Sequence, residues 1–357
     1  MSGPDLAVLG RASAALLLAV LGLYVYLYVR KRLDLRYESV IAAKLERLSE
    51  AGSAMETYLR TGEESRAIRP RRRIDYEALE LYLSHRAKSV QNAEERERIA
   101  AFADAHFTDR FRSRLRGRDW SARINTLHYM ELFHTVHLLP EAKELIEKRT
   151  PDEEERVCVY RLMAAFQDEA ILDLLRREEE RLPDFAYRQL LHPLRPALLD
   201  RIAERFDEYP ARVRYNFVDI ARIRNIRTAP LLRLLESRLA GDDTELNVRV
   251  LKALANFGYL TADGVSALRN RVRTPPASPI ERLMLARLMG AVSEDSLLPV
   301  LQQWIGDESY LVRAESARAL IRYRHGKERL RAVAYDHPDR YAREMAMQVL
   351  EEQTNGA

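Results

Sequence analysis

The chain has 357 residues, 47% of them hydrophobic and 31% charged, with one cysteine. A single cysteine excludes a disulfide framework and a zinc site built on several thiolates, and Gly 13 with Pro 14 excludes collagen-like or turn-rich all-β structure. The formal charge of +4 is unevenly spread: residues 1–73 hold 13 of the 58 basic and 8 of the 54 acidic residues, which leaves 74–357 near neutral.

Residues 1–11 form a short N-terminal flank. Residues 12–29 (ASAALLLAVLGLYVYLYV) carry no charge, and eighteen helical residues rise about 27 Å, close to the hydrocarbon thickness of a bilayer. Tyr24, Tyr26 and Tyr28 stand at the end where aromatic rings favour headgroups. The basic cluster Arg30, Lys31, Arg32 follows the run and does not precede it, and Tyr-Val-Arg-Lys-Arg is no signal-peptide cleavage site. The segment therefore reads as a single N-terminal transmembrane helix. The excess of Lys and Arg after it places the bulk of a single-pass membrane protein in the cytoplasm.

Residues 30–73 read as a helical stalk and a basic juxtamembrane linker. Tyr37, Ile41, Leu45 and Leu48 recur at helical spacing; Gly52 weakens the helix and Thr61-Gly62 ends it. The loop 63–73 carries Arg69, Arg71, Arg72 and Arg73, a tract that either contacts anionic lipid, as do Arg30, Lys31 and Arg32, or is a solvated linker.

From Ile74 to Leu350 the apolar period is helical, in segments of 10–18 residues, with no alternating strand pattern. Ile74 to Val90 predicts a helix capping the array, and 351–357 a frayed tail. The breaks repeat: Pro151-Asp152 before Arg156, Pro183-Asp184 before Arg188, Pro338-Asp339 before Arg343, and Asp119 before Arg123 without the proline. Looser copies end at Arg214, Arg249, Arg282 and Arg313. The eight arginines follow one another at intervals of 26–35 residues, the period of stacked helix pairs. Proline suits a first helical turn, Asp caps its amides, and an Arg one turn on can pair with that Asp or with the next repeat's. Arg123, Arg156, Arg188, Arg249, Arg313 and Arg343 are read as a structural ladder.

Leu298 to Leu320 (LPVLQQWIGDESYLVRAESARAL) and Leu231 to Leu254 (LLRLLESRLAGDDTELNVRVLKAL) share one pattern: a leucine-rich helix ending in Gly-Asp, then Val-Arg in a second helix rich in Ala and Leu. In this the chain resembles the HEAT and HEAT-like repeat family, over roughly Ile99 to Leu350. The resemblance implies an all-α protein whose region 74–350 is an α-solenoid of about eight helix pairs, the second helix of each pair lining a concave binding surface. Asn216, Asp219, Arg249, Lys252 and Asn256 are the expected partner contacts there.

Catalytic signals are thin. His128, His134 and His137 fall with Glu131 in one predicted helix, and two histidines three apart could share a metal, but further ligands of matching spacing are lacking. Some HEAT-like proteins are metal-dependent hydroxylases with His-Glu ligand dipeptides, which this chain lacks. Certain bacterial HEAT-like proteins are DNA glycosylases, yet a nearly neutral array is a poor duplex-binding surface; Arg222, Arg224 and Arg227 form its best basic patch. Cys158, among Val157, Val159 and Leu162, reads as a core residue. No phosphate-cradling glycine loop or nucleophile elbow is present. The expectation is a membrane-tethered, non-enzymatic scaffold or adaptor without cofactor, binding a protein partner in or at the membrane. The alternatives are a HEAT-like enzyme, glycosylase-like or metal-dependent, and an anionic-lipid or envelope-organising protein.

Overall fold

The computed structural model describes the backbone of residues 3–148, 152–177 and 182–355, and the side chains of 16–147, 152–177 and 182–354. Among the described residues every regular element is a helix. They divide into two compact units, 1–162 and 163–357, the division falling inside one helix.

The first unit contains α1 (Gly3–Ser49), α2 (Ala54–Thr61), α3 (Arg73–Ser89), α4 (Ala93–His106), α5 (Thr108–Arg116), α6 (Trp120–Phe133), α7 (Leu139–Lys148) and most of α8 (Glu153–Ala165). Side-chain caps mark several starts. Ser53 accepts from the Glu56 amide at 3.2 Å, Asn92 from Glu94 at 3.0 Å and Asp119 from Ala122 at 3.2 Å, each satisfying an amide that has no partner inside its helix. Gly62 closes α2 at φ 82, a conformation that suits a residue without Cβ. The core is aromatic: Phe102, Phe107, Phe111 and Phe133 are fully buried and in mutual ring contact.

α1 runs unbroken through the expected membrane segment and beyond it. The described side chains of the apolar run, Leu16–Val29, are exposed; the side chains of residues 12–15 lie outside the description. Arg30, Lys31 and Arg32 then interrupt the run, with Arg32 folded back onto the Tyr28 hydroxyl at 3.0 Å and over its ring. Among the described residues no helix is long and apolar enough to cross a membrane. The expectation of a transmembrane helix over 12–29, and with it of a single-pass membrane protein, is corrected accordingly. The end of α1 packs on α3: Tyr37 donates to Glu77 at 2.5 Å and Lys44 pairs with Asp75 at 2.5 Å.

The Lys44 contact, joined by the Arg71 and Arg72 amides, lowers the Asp75 carboxyl from 3.8 to about 2. A folded pKa below the unfolded one contributes stability above the unfolded value and loses it as pH falls through the folded one. This contact therefore supports the fold above about pH 4 and fades between pH 4 and 2. Asp75→Asn should flatten the acid limb of a stability–pH curve in that window and leave its slope above pH 5 unchanged.

The second unit continues with α9 (Ala170–Arg176), α10 (Asp184–Leu191), α11 (Pro196–Glu204), α12 (Ala211–Ile223), α13 (Ala229–Ser237), α14 (Thr244–Phe257), α15 (Ala262–Arg273), α16 (Pro279–Val292), α17 (Leu298–Trp304), α18 (Tyr310–Ile321), α19 (Gly326–Asp336) and α20 (Arg340–Asn355). The even-numbered helices pack successively on one another from α10 to α20, and α11, α13 and α15 form the matching row of first helices. Its core is aliphatic, built from residues such as Leu285, Leu288, Met289, Leu301 and Leu320. Each pair buries one stripe against its partner and one against the next pair, so the core is continuous along the stack.

Candidate partner-binding face of the second helices

The repeat arginines hold a defined place. Arg123, Arg282, Arg313 and Arg343 are the fourth residues after the caps Asp119, Ser278, Ser309 and Asp339. Their Nη1 groups donate back to the turn before the helix: Arg123 to the Gly117 carbonyl at 3.1 Å, Arg282 to Pro276 and Ala277 at 3.0 and 2.9 Å, Arg313 to Asp307 at 2.8 Å and Arg343 to His337 at 2.7 Å. Arg156 and Arg214 occupy the same place after Asp152 and Pro210. The arginine thus fastens a turn whose carbonyls have no ladder partner, and two of them also reach the next repeat, Arg123 to Glu155 and Arg282 to Asp307.

Two members of the expected ladder stand elsewhere. In α14 the fourth residue after the cap Asp243 is Asn247, which donates to the Gly241 carbonyl at 2.7 Å in the arginine's stead. Arg249, two residues later, pairs instead with Asp219 of α12 and with Glu245 at 2.5 Å. In α10 the fourth residue is the buried Tyr187, and Arg188 is exposed.

The expected contact residues on α12 and α14 divide in the same way. Asn216 is buried and donates to the Arg212 carbonyl at 2.9 Å, a role within its own helix. Asp219 and Arg249 are brought together in a polar strip with Tyr215, whose hydroxyl donates to Asp243 at 2.8 Å and whose ring lies 5.5 Å from the Arg249 guanidinium. Lys252 is half-buried. Asn256 is exposed, donates to Asn225 at 3.1 Å and accepts from Arg227 at its carbonyl. Arg224 is spent on the Leu194 carbonyl and Arg222 faces Asp219, so the basic patch is occupied by protein groups.

What the sequence reading missed is a row of apolar side chains at the second position of the second helices. Ile280 of α16, Leu311 of α18 and Tyr341 of α20 are 59%, 60% and 63% exposed, with Tyr310 beside Leu311. The Arg313 guanidinium lies 5.4 Å from the Tyr341 ring and 6.0 Å from that of Tyr310, bridging two repeats. Two helical turns further along, the ninth positions carry Lys252, Arg287 and Arg318. Arg287 is held by Glu315 at 3.1 Å, and Arg318 meets Glu352 at 3.4 Å. The face thus presents an apolar edge and a cationic row on one rigid layer.

Residues 276–351, which include Ile280, Arg287, Leu311, Arg318 and Tyr341 of this face, match the family of HEAT repeats. This segment carries HEAT repeats. No curated protein matches it. Among solved structures it is similar to an engineered protein from a structural genomics consortium, at 14% identity over 88% of each chain, with a TM-score of 0.27.

The chain holds no assembled metal site among its described residues. The expected single helix for His128, His134 and His137 is corrected: α6 ends at Phe133, and His134 takes the left-handed conformation at φ 58. His137 lies in the next turn, with Nδ1 3.1 Å from Asp104 and Nε2 2.9 Å from the Thr108 hydroxyl. Glu131 is bound to Arg161 at 2.7 Å. Burial lowers the His128 pKa and raises that of the Cys158 thiol, which disfavours the imidazolium in one and the thiolate in the other.

Proposed function

We propose that the protein is a non-enzymatic interaction scaffold whose second-helix layer docks a protein segment bearing apolar side chains and acidic residues. The observation that carries this reading is the row Ile280, Leu311 and Tyr341, exposed at one position in three successive repeats. Large apolar side chains set in register on a rigid layer act as anchors for a partner. The parallel row Lys252, Arg287 and Arg318 favours an acidic one, through encounter rate and register more than through raw affinity. HEAT repeats as a class mediate protein–protein contacts, which agrees with this assignment.

Affinity capture from the source cell tests it. Ile280→Asp with Leu311→Asp should release a specific partner, Arg287→Glu with Arg318→Glu should weaken it at least tenfold, and Tyr335→Asp, on the exposed side of α19, should leave it bound. Ile280 and Leu311 are exposed, so their pair should change stability by about 0.5 kcal/mol or less; Arg287→Glu sets a second carboxylate against the buried Glu315 and should cost more, so the folded fraction of that variant is measured beside its binding. An identical set of captured proteins from all four forms would contradict the reading.

A further inference from the structure

A cavity of about 510 Å³ opens in the first unit between the end of α1, the segment 66–71 and α3. Five basic side chains line it, Lys44, Arg47, Arg66, Arg69 and Arg71, against one carboxylate, Asp75. Asp75 is committed to Lys44 and to the Arg71 and Arg72 amides. Arg69 meets Glu64 only at 3.4 Å, with both side chains more than half exposed. Arg47, Arg66 and Arg71 have no ion pair among the described residues. The accessible apolar floor is Leu48, Ala54 and Pro70, half-buried, backed by the buried Met55, Ile68 and Leu79.

Guanidinium groups gathered on one concave wall repel one another, and low-dielectric walls concentrate their field. An anion placed among them relieves that repulsion and receives charge-assisted, forked hydrogen bonds that an ammonium could not arrange. Cavities of roughly 300–1,000 Å³ with an apolar lining and a few convergent polar groups hold small molecules. We infer that this cavity binds a soluble amphipathic anion, a phosphate or carboxylate on a short apolar body, with the anion among Arg47, Arg66 and Arg71 and the body on Leu48, Ala54 and Pro70. The site belongs to the first unit and is independent of the partner face on the second helices.

Isothermal titration of the full chain with octyl phosphate tests the assignment. One equivalent should bind, inorganic phosphate should bind at least tenfold more weakly because it leaves the floor uncovered, and octanol should not bind measurably. Arg47→Glu with Arg71→Glu, both exposed and without partners that the fold needs, should lose at least tenfold in affinity. Arg36→Glu, a single charge reversal at an exposed position of α1 outside the cavity lining, should bind as the parent does. Absence of octyl phosphate binding, equal binding by the charge-reversed variant, or binding confined to phosphatidylglycerol vesicles would overturn the inference.

Discussion

Arg282→Ala is expected to destabilise the second unit by about 3–5 kcal/mol, the range for removing one partner of a buried ion pair. Arg282 and Asp307 are 8% and 9% exposed at their side chains, and two hydrogen bonds of 2.8 and 3.1 Å join them as a fork. The same guanidinium holds the Pro276 and Ala277 carbonyls ahead of α16. Removing it leaves the Asp307 carboxylate with the Ser309 amide as its remaining donor, at 2.8 Å. The contact to Glu308 contributes little to this cost, because that carboxylate is 86% exposed. Arg282→Lys should recover part of the loss, since a point charge reaches Asp307 but cannot serve the fork and both carbonyls together. Urea denaturation measures the change. In a repeat stack the loss should be local, so hydrogen exchange should quicken first in α16 and α18. A cost below 1 kcal/mol would contradict the pairing.

Gly290→Val is the second large effect. A Cβ at Gly290 would stand 2.6 Å from the Ala319 Cβ and 2.8 Å from its Cα, inside any real contact distance. α16 and α18 approach each other closely here because one helix offers no side chain and the other a methyl. Valine should cost about 2–3 kcal/mol through overpacking, despite the better helix propensity of a residue with a Cβ. Gly290→Ala should cost less, and Ala319→Gly added to it should recover stability beyond additivity, because the two changes meet at one contact. Additive effects in that cycle would show that the helices do not meet at this point.

Much of the architecture was legible because capped helix starts recur. An Asp or Ser cap followed four residues later by Arg marks α6, α8, α16, α18 and α20, and its physical basis is a turn that needs a donor for its carbonyls. The register slipped where chemistry was conserved by other means. Asn247 fills the arginine's place in α14 and Tyr187 takes that position in α10, so matching on Val-Arg or Asp-to-Arg selected Arg249 and Arg188. Counting from the cap instead of from the arginine would also have exposed the row Ile280, Leu311 and Tyr341, since each is the second residue after its cap.

Other features were hidden for different reasons. The end of α6 at His134 carries neither Gly nor Pro; a left-handed histidine ends it, and only Pro140 follows. The charge-free run of α1 resembled a membrane span by composition, but among the described residues no helix is long and apolar enough to cross a membrane, and the basic end of the run folds onto its own tyrosines. Arg66 to Arg71 read as a linker because they lack an apolar period. They form a cavity wall because α1 returns to pack on α3, a contact between residues 31 apart in sequence that no local pattern announces.

The central claim is that a protein partner docks on the second-helix layer of the HEAT repeats. Site-specific photocrosslinking in the source cell tests it most directly, with a benzophenone side chain placed in turn at Leu311, at Tyr341 and, on a first helix, at Tyr335, which is 78% exposed. The account predicts the same discrete crosslinked partner from Leu311 and Tyr341 and none from Tyr335. Equal crosslinking from all three positions, or a discrete product from Tyr335 alone, would contradict it.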